Sequence, residues 1–269
     1  MNRKNFITLL SGGIAMASIQ PFYDWTKGLG EEEEKMPVLF IGHGSPMNAI
    51  EDNEFSKRWQ QMGKEIRKPK AVVVVSAHWL TKGTLVTAMP NPKTIHDFGG
   101  FPQALFDVQY PASGSPELAS EIQKLITNPA VELDHDWGLD HGTWSVVKHM
   151  YPDADIPVLQ LSIDYYKPAA YHYELAKQLL SLRKKGILII GSGNMVHNLR
   201  MVAWDKLNES EYGFDWALEM NDIFKNRISN GVHKELIKYE KLNKSATLAI
   251  QSPDHYYPLL YIWALQHDN

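Results

Sequence analysis

Short apolar runs alternate with polar or amphipathic stretches along most of this chain. Residues 38–41 are apolar and lead straight into Gly42 and His43. Residues 71–76 are a continuous run, Ala-Val-Val-Val-Val-Ser, which leads into Ala77-His78-Trp79. Apolar side chains at successive strand positions need cover on both faces, so this run predicts a central strand ending at residue 76. Residues 85–89, 131–133, 156–163 and 186–190 read as further strands, the last ending in a Gly191-Ser192-Gly193 turn. Helical patterns fall at 54–66, 115–126, 144–150, 169–184, 214–229, 233–239 and 259–265, with 245–250 a helix or a short strand. Ser115 before Pro116 is a helix start, because serine caps the first turn and proline is tolerated inside it. Strands alternating with helices predict an α/β fold around a central sheet. Residues 90–111 form a loop long enough to be functional, and its aromatic residues suit a lid or a pocket wall.

Composition narrows the chemistry. With 269 residues, 44% of them hydrophobic, the chain can bury a sizeable core. A net charge of -4 gives no sign of a polybasic surface for nucleic acid or anionic membrane. The absence of cysteine excludes disulfides, thiolate metal sites, iron–sulfur clusters and a cysteine nucleophile. No P-loop, HExxH motif or GxSxG elbow is present. What stands out is eleven histidines and eight tryptophans, a composition suited to an enclosed metal or aromatic-ligand site.

Residues 1–35 read as lying ahead of the fold. Arg3 and Lys4 precede an apolar stretch broken by Gly12-Gly13, and Ala15-Met16-Ala17 suits signal cleavage. Arg3-Lys4-Asn5-Phe6-Ile7 resembles a twin-arginine export signal with lysine for the second arginine, which implies a periplasmic protein; a cytoplasmic extension is the alternative. The acidic run ending at Glu34 reads as a solvated linker. The folded domain is expected over residues 36–269, with no membrane span in the mature chain.

Four histidines sit beside glycine, serine or proline at the end of a buried element: His43, His78, His197 and His255. Ligands in open α/β sheets gather outside the carboxyl ends of strands. Neutral imidazole is a common ligand for zinc or iron. Two successive strands delivering His43 and His78 make a shared metal site the favoured reading; an imidazole satisfied by backbone hydrogen bonds is the alternative for each. His141, after Asp140 and before Gly142-Thr143-Trp144, suits a general acid or base, or a passive ring at a capped helix start. His172 reads as structural, and His233 and His267 as solvent-facing.

Taken together, GHGSPMN, SAHW, LDHGTW, GSGNMVHN and DHYYPLLY occur in the order seen in class III extradiol ring-cleavage dioxygenases, and the chain most resembles their DOPA 4,5-dioxygenase branch. The resemblance spans about residues 36–265. It implies a single domain with a central mixed sheet flanked by helices and the metal at strand carboxyl ends. It further implies His43, His78 and His255 as metal ligands, and His197 as a further ligand or an acid/base. His141 corresponds to a second pocket histidine with a catalytic role. A two-His-one-carboxylate set favours iron(II), whereas four imidazoles favour zinc. The resemblance therefore implies one divalent ion, iron(II) for turnover or zinc as bound. The partners implied are a small aromatic diol and dioxygen, and the product a muconic semialdehyde. A zinc-dependent hydrolase or a non-catalytic metal-binding protein on the same scaffold is the alternative function.

Overall fold

The structure, a computed structural model, describes residues 34–206 and 212–266. Almost all of the segment read as an export signal and linker lies outside the described residues, as does His267. Six strands form one mixed sheet: β1 (Val38–Gly42), β2 (Ala71–Thr81), β3 (Thr84–Thr87), β4 (Val131–Asp134), β5 (Val158–Asp164) and β6 (Ile187–Gly193). Their order across the sheet is β1-β6-β2-β5-β3-β4. The first four in that order are mutually parallel, β3 runs antiparallel to β5, and β4 is parallel to β3. The six helices of eight or more residues among the described residues are α1 (Glu54–Glu65), α2 (Pro116–Leu125), α3 (His141–Met150), α4 (Ala169–Lys177), α5 (Asp215–Ser229) and α6 (Tyr257–Ala264).

The valine run of β2 shows why the sheet is central. Val73 and Val75 join a core with Leu118, Leu175, Phe224 and Leu260. Val72 and Val74 join a second core with Trp59, Trp144 and Val147. Successive side chains of a strand point to opposite faces, so an unbroken apolar run requires helices on both sides. Here α1 and α3 cover one face, and α2, α4, α5 and α6 the other.

Several local expectations are corrected. β2 does not stop at residue 76: it continues to Thr81 through a register shift against β5, so His78 lies within the strand. The extension is held by pairing of Leu80 and Thr81 with Ile163 and Asp164, and by a 2.7 Å bond between the Thr81 and Ser162 hydroxyls. Gly191-Ser192-Gly193 is strand, not turn, paired with β1 on one side and, through Gly191 and Ser192, with β2 on the other. Glycine is needed there for close approach. A Cβ on Gly191 would stand 2.4 Å from the carbonyl oxygen of Pro258, and one on Gly193 would stand 2.2 Å from that of His255. The stretch 169–184 breaks into α4 and a separate turn of helix, Leu180–Lys184. His233 is buried rather than solvent-facing, its ring against Tyr173 and Trp263. His172 is structural as expected, buried with Nδ1 3.0 Å from the Tyr261 hydroxyl.

The glycine contacts seat α6, and with it His255, on the sheet. Gly191→Ala is expected to lower unfolding stability by about 1–3 kcal/mol, because a backbone carbonyl cannot rotate out of the way. Urea unfolding measures this, and an unchanged midpoint would contradict the close approach.

Candidate metal centre

GHGSPMN folds as a bracket for His43. Gly44 takes a positive φ of 63°, which turns the chain sharply after β1. Ser45 then caps a short 3-10 helix, Pro46–Ala49. Asn48 reaches back from that helix and donates to the His43 carbonyl at 3.0 Å. The His43 ring is thereby held over β6, with Nδ1 2.9 Å from Ser192 Oγ. Ser192 gives its own hydroxyl hydrogen to the Gly142 carbonyl at 2.5 Å. It must accept from His43 Nδ1–H, which leaves Nε2 of His43 as a bare lone pair.

Asp97 does the same for a second ring and stands close to a third. His141 opens α3 behind its cap, Asp140, whose side chain accepts from the Thr143 backbone at 3.1 Å. The two Asp97 oxygens take the His141 backbone N–H and Nδ1–H, each at 2.9 Å. Asp97 Oδ2 also lies 3.3 Å from Nδ1 of His78. The Nε2 atoms of His43 and His78 meet at 3.1 Å, and the His78 and His141 rings are 3.9 Å apart. Beneath this group Asp140 is fully buried, accepting from Ser76 at 2.7 Å and from Gln160 at 2.6 Å.

His255 and His197 complete the cluster from the other side. The His255 ring stands 5.0 Å from both His43 and His78, and its Nδ1 lies 3.0 Å from Asn194 Nδ2. His197 stacks on His255 at 3.6 Å. Its backbone donates to the Ala249 carbonyl at 2.8 Å, which pins the segment after β6. Potential ligand atoms of His43, His78 and His141 all lie within 4.8 Å of one another, as do those of His197, Asp254 and His255. The five histidines singled out in the sequence thus converge. Within the cluster His141 stands with His43 and His78, while His197 stands with His255 and Asp254.

Electrostatics keep the rings neutral. Burial, reinforced by the neighbouring imidazoles, holds His43 well below the ordinary histidine range and takes His255 down to about 2. Burial and His141 lower His78 to about 3, against the opposing pull of Asp97. Burial also lowers His197. For Asp97, burial works upward, but the hydrogen bonds and charge of His141 outweigh it and the carboxyl falls below its ordinary value. Burial and the Asp97 charge raise Asp140, against the hydrogen bonds from Gln160 and Ser76. Neutral rings with lone pairs turned toward one another suit a divalent cation, which gives the facing nitrogens a shared electrophile.

Asp97, Ser192, Asn194 and Asp254 were not singled out in the sequence, whereas Asp140 caps α3 as its place before His141 suggests. Asp97 carried a faint signal, adjacent to His96 in a long loop; Ser192 was hidden by being read as part of a turn. The aromatic residues divide in role. Phe98 lies 5.5 Å edge-on to His141 and packs against Phe101, forming a wall beside the histidines. Trp144 is core, with its indole N–H donating to the Ile95 carbonyl at 2.8 Å. Trp79 is also core, stacked on Trp137 at 5.8 Å.

Comparison with known proteins gives this cluster a setting. A family model described as the catalytic LigB subunit of aromatic ring-opening dioxygenase matches residues 37–267. A 4,5-DOPA dioxygenase extradiol of Escherichia coli (strain K12) is 50% identical over 232 residues, covering 85% of this chain and 84% of its own. One from Beta vulgaris is 39% identical over 237 residues, covering 86% of this chain and 87% of its own. A crystal structure of an E. coli K12 protein described as uncharacterized superposes with a TM-score of 0.72 at 43% identity, covering 86% of this chain and 89% of that one. A match over nearly the whole domain, joined to a buried cluster of neutral imidazoles at the sheet edge, places the chain in the LigB family of aromatic ring-opening dioxygenases, as a metal-binding extradiol enzyme.

Proposed function

We propose that this enzyme opens the ring of a DOPA-like catechol with dioxygen, cleaving the bond beside the diol to give a muconic semialdehyde. Both atoms of dioxygen enter the product, so no external reductant is required. The observation that carries the reading is the set of His43, His78 and His255 rings around one small volume, with the proton-carrying nitrogen of His43 turned away from it and Nδ1 of His78 facing Asp97. The names of the relatives support the substrate class.

In this reading His43, His78 and His255 hold one divalent ion, with His197 either a fourth ligand or a proton acceptor. Iron(II) bound there would supply the one-electron chemistry that joins dioxygen to a catechol, which zinc cannot. The protein's own groups bind, orient and move protons. His197, kept neutral by burial, takes a phenolic proton as the catechol enters. His141 presents Nε2 as its free nitrogen because Nδ1–H is committed to Asp97, so it can exchange a proton with the opening ring. Phe98 beside His141 gives the ring an apolar wall.

Anaerobic loading with iron(II), followed by L-DOPA and oxygen, is expected to consume one dioxygen per catechol and form a yellow product. No oxygen uptake with any catechol would overturn the reading. His43→Ala and His78→Ala are expected to abolish metal retention. His141→Gln is expected to retain metal and lower kcat by about 10²–10⁴-fold; full turnover in that variant would remove His141 from the mechanism.

The depressed imidazoles also set a pH dependence. Below the ordinary value of 6.5 an unfolded His78 takes a proton, whereas the folded ring stays neutral down to about 3. The unfolded state therefore binds more protons in that window, so stability is present above it and is lost as pH falls. The melting temperature of the metal-free protein is expected to fall steadily from about pH 6.5 downward, with a shallower slope in His78→Gln. A flat profile to about pH 4 would contradict the burial of neutral rings.

A further inference from the structure

The ligand set read from the sequence is all imidazole, which suits zinc, whereas two histidines and a carboxylate suit iron(II). The structure brings a carboxylate to the histidines. Asp254 precedes His255 in the turn that leads into α6. Backbone bonds fix that turn. The Tyr256 and Tyr257 N–H groups donate to the Pro253 carbonyl at 3.0 and 2.8 Å, and the Asn194 N–H donates to the His255 carbonyl at 2.9 Å.

The Asp254 side chain lacks what its neighbours have. Asp97 has its oxygens taken by the His141 ring and backbone, and Asp140 by Ser76 and Gln160. Asp254 Oδ1, by contrast, is buried and accepts no hydrogen bond from any described residue. A buried carboxylate oxygen without a donor is costly, so this atom calls for a partner from outside the chain. Asp254 Oδ2 lies 3.8 Å from His255 Nε2, too far for a hydrogen bond. Potential ligand atoms of His197, Asp254 and His255 nonetheless all lie within 4.8 Å of one another. Two atoms bound about 2.1 Å from one metal at adjacent corners stand about 3–3.6 Å apart, so the 3.8 Å gap is close to that of two ligands sharing an ion.

We propose that Asp254 is itself a ligand of the metal, beside the histidines, and that it is the residue by which the centre favours iron(II) relative to zinc. The assignment rests on the reading above that these histidines hold one divalent ion. The carboxylate adds a hard oxygen donor to a set of nitrogens, which turns a tetrahedral zinc-like set into the mixed set that iron(II) takes with open positions. Its negative charge also offsets part of the charge of a divalent ion in a place where burial makes an uncompensated charge costly.

The test titrates metal-free full-length protein with zinc, and anaerobically with iron(II), each against a competing chelator. Asp254→Asn is expected to weaken iron(II) binding by about 10–100-fold and zinc binding by less than about threefold. Asp254→Glu, which keeps a carboxylate, is expected to retain most of the iron(II) affinity. Equal losses for the two metals in Asp254→Asn would make Asp254 a mere support for His255 and overturn the proposal. The melting temperature of metal-free Asp254→Asn is expected to match or exceed that of the wild-type protein, because an amide replaces an orphaned buried charge. A lower value, or failure of that variant to fold, would show that the carboxylate serves the fold and would overturn the proposal too. Catechol cleavage by the iron-loaded wild-type protein, with metal preference unaltered in Asp254→Asn, would remove Asp254 from the ligand set and leave ring cleavage standing. An iron-specific loss in Asp254→Asn, with no catechol cleaved by the wild-type protein, would uphold the ligand and overturn ring cleavage. Retention of neither metal by the wild-type protein would overturn both.

Discussion

The centre depends on where two imidazoles are allowed to keep their protons and on a third held beside them. His43 donates to a serine whose own hydrogen is already committed to Gly142, and His78 and His141 turn Nδ1 toward one carboxylate, Asp97. A ring that gives up its Nδ1 hydrogen outward can offer only a lone pair inward. If these acceptors were replaced by apolar side chains, the same histidines would be free to turn or to change tautomer. The convergence of rings from distant parts of the chain would then give no defined ligand set. The acceptors are spread over β6 and the long loop, so the sheet and its connections must both be in place before the site exists.

Beneath the rings lies a buried polar layer. Asp140 caps α3, accepts from Ser76 and Gln160, and takes no part in ligation; Gln160 also receives the Asp140 backbone N–H at 2.8 Å. A buried carboxylate is costly unless its lone pairs are filled, and here they are filled by groups from β2, β5 and α3. The layer therefore fixes the start of α3 against the sheet, which fixes His141. Gly142 is part of the same fit, since a Cβ there would stand 2.6 Å from Ser76 Oγ.

Much of this was legible in the sequence because it is local. The valine run of β2, the glycine at the end of β1 and the Ser115 cap each follow from short-range rules, and each appears where those rules put it. The histidines were legible because each sits beside residues that end or bend an element. What was not legible depends on contacts between distant segments. The glycines of β6 look like a turn until α6 is seen pressing on them. The end of β2 depends on how far β5 continues beside it. Asp97 is an ordinary loop aspartate until α3 delivers His141 to it, and His233 looks like a surface residue until α4 and α6 close over it.

The loop that carries Asp97 is tied down at many points. The Ile95 backbone donates to Leu139 at 2.7 Å, Leu139 donates to Lys93 at 2.8 Å, and His96 bonds the Val108 carbonyl at 2.9 Å. The Trp144 indole adds a bond to Ile95. A segment fastened this way is a wall rather than a lid, and it holds its carboxylate against both rings whatever lies in front of them. The proton positions of the site are thus settled in the resting protein. The reorganisation that water would have to undergo around a reacting aromatic substrate has in effect been completed during folding.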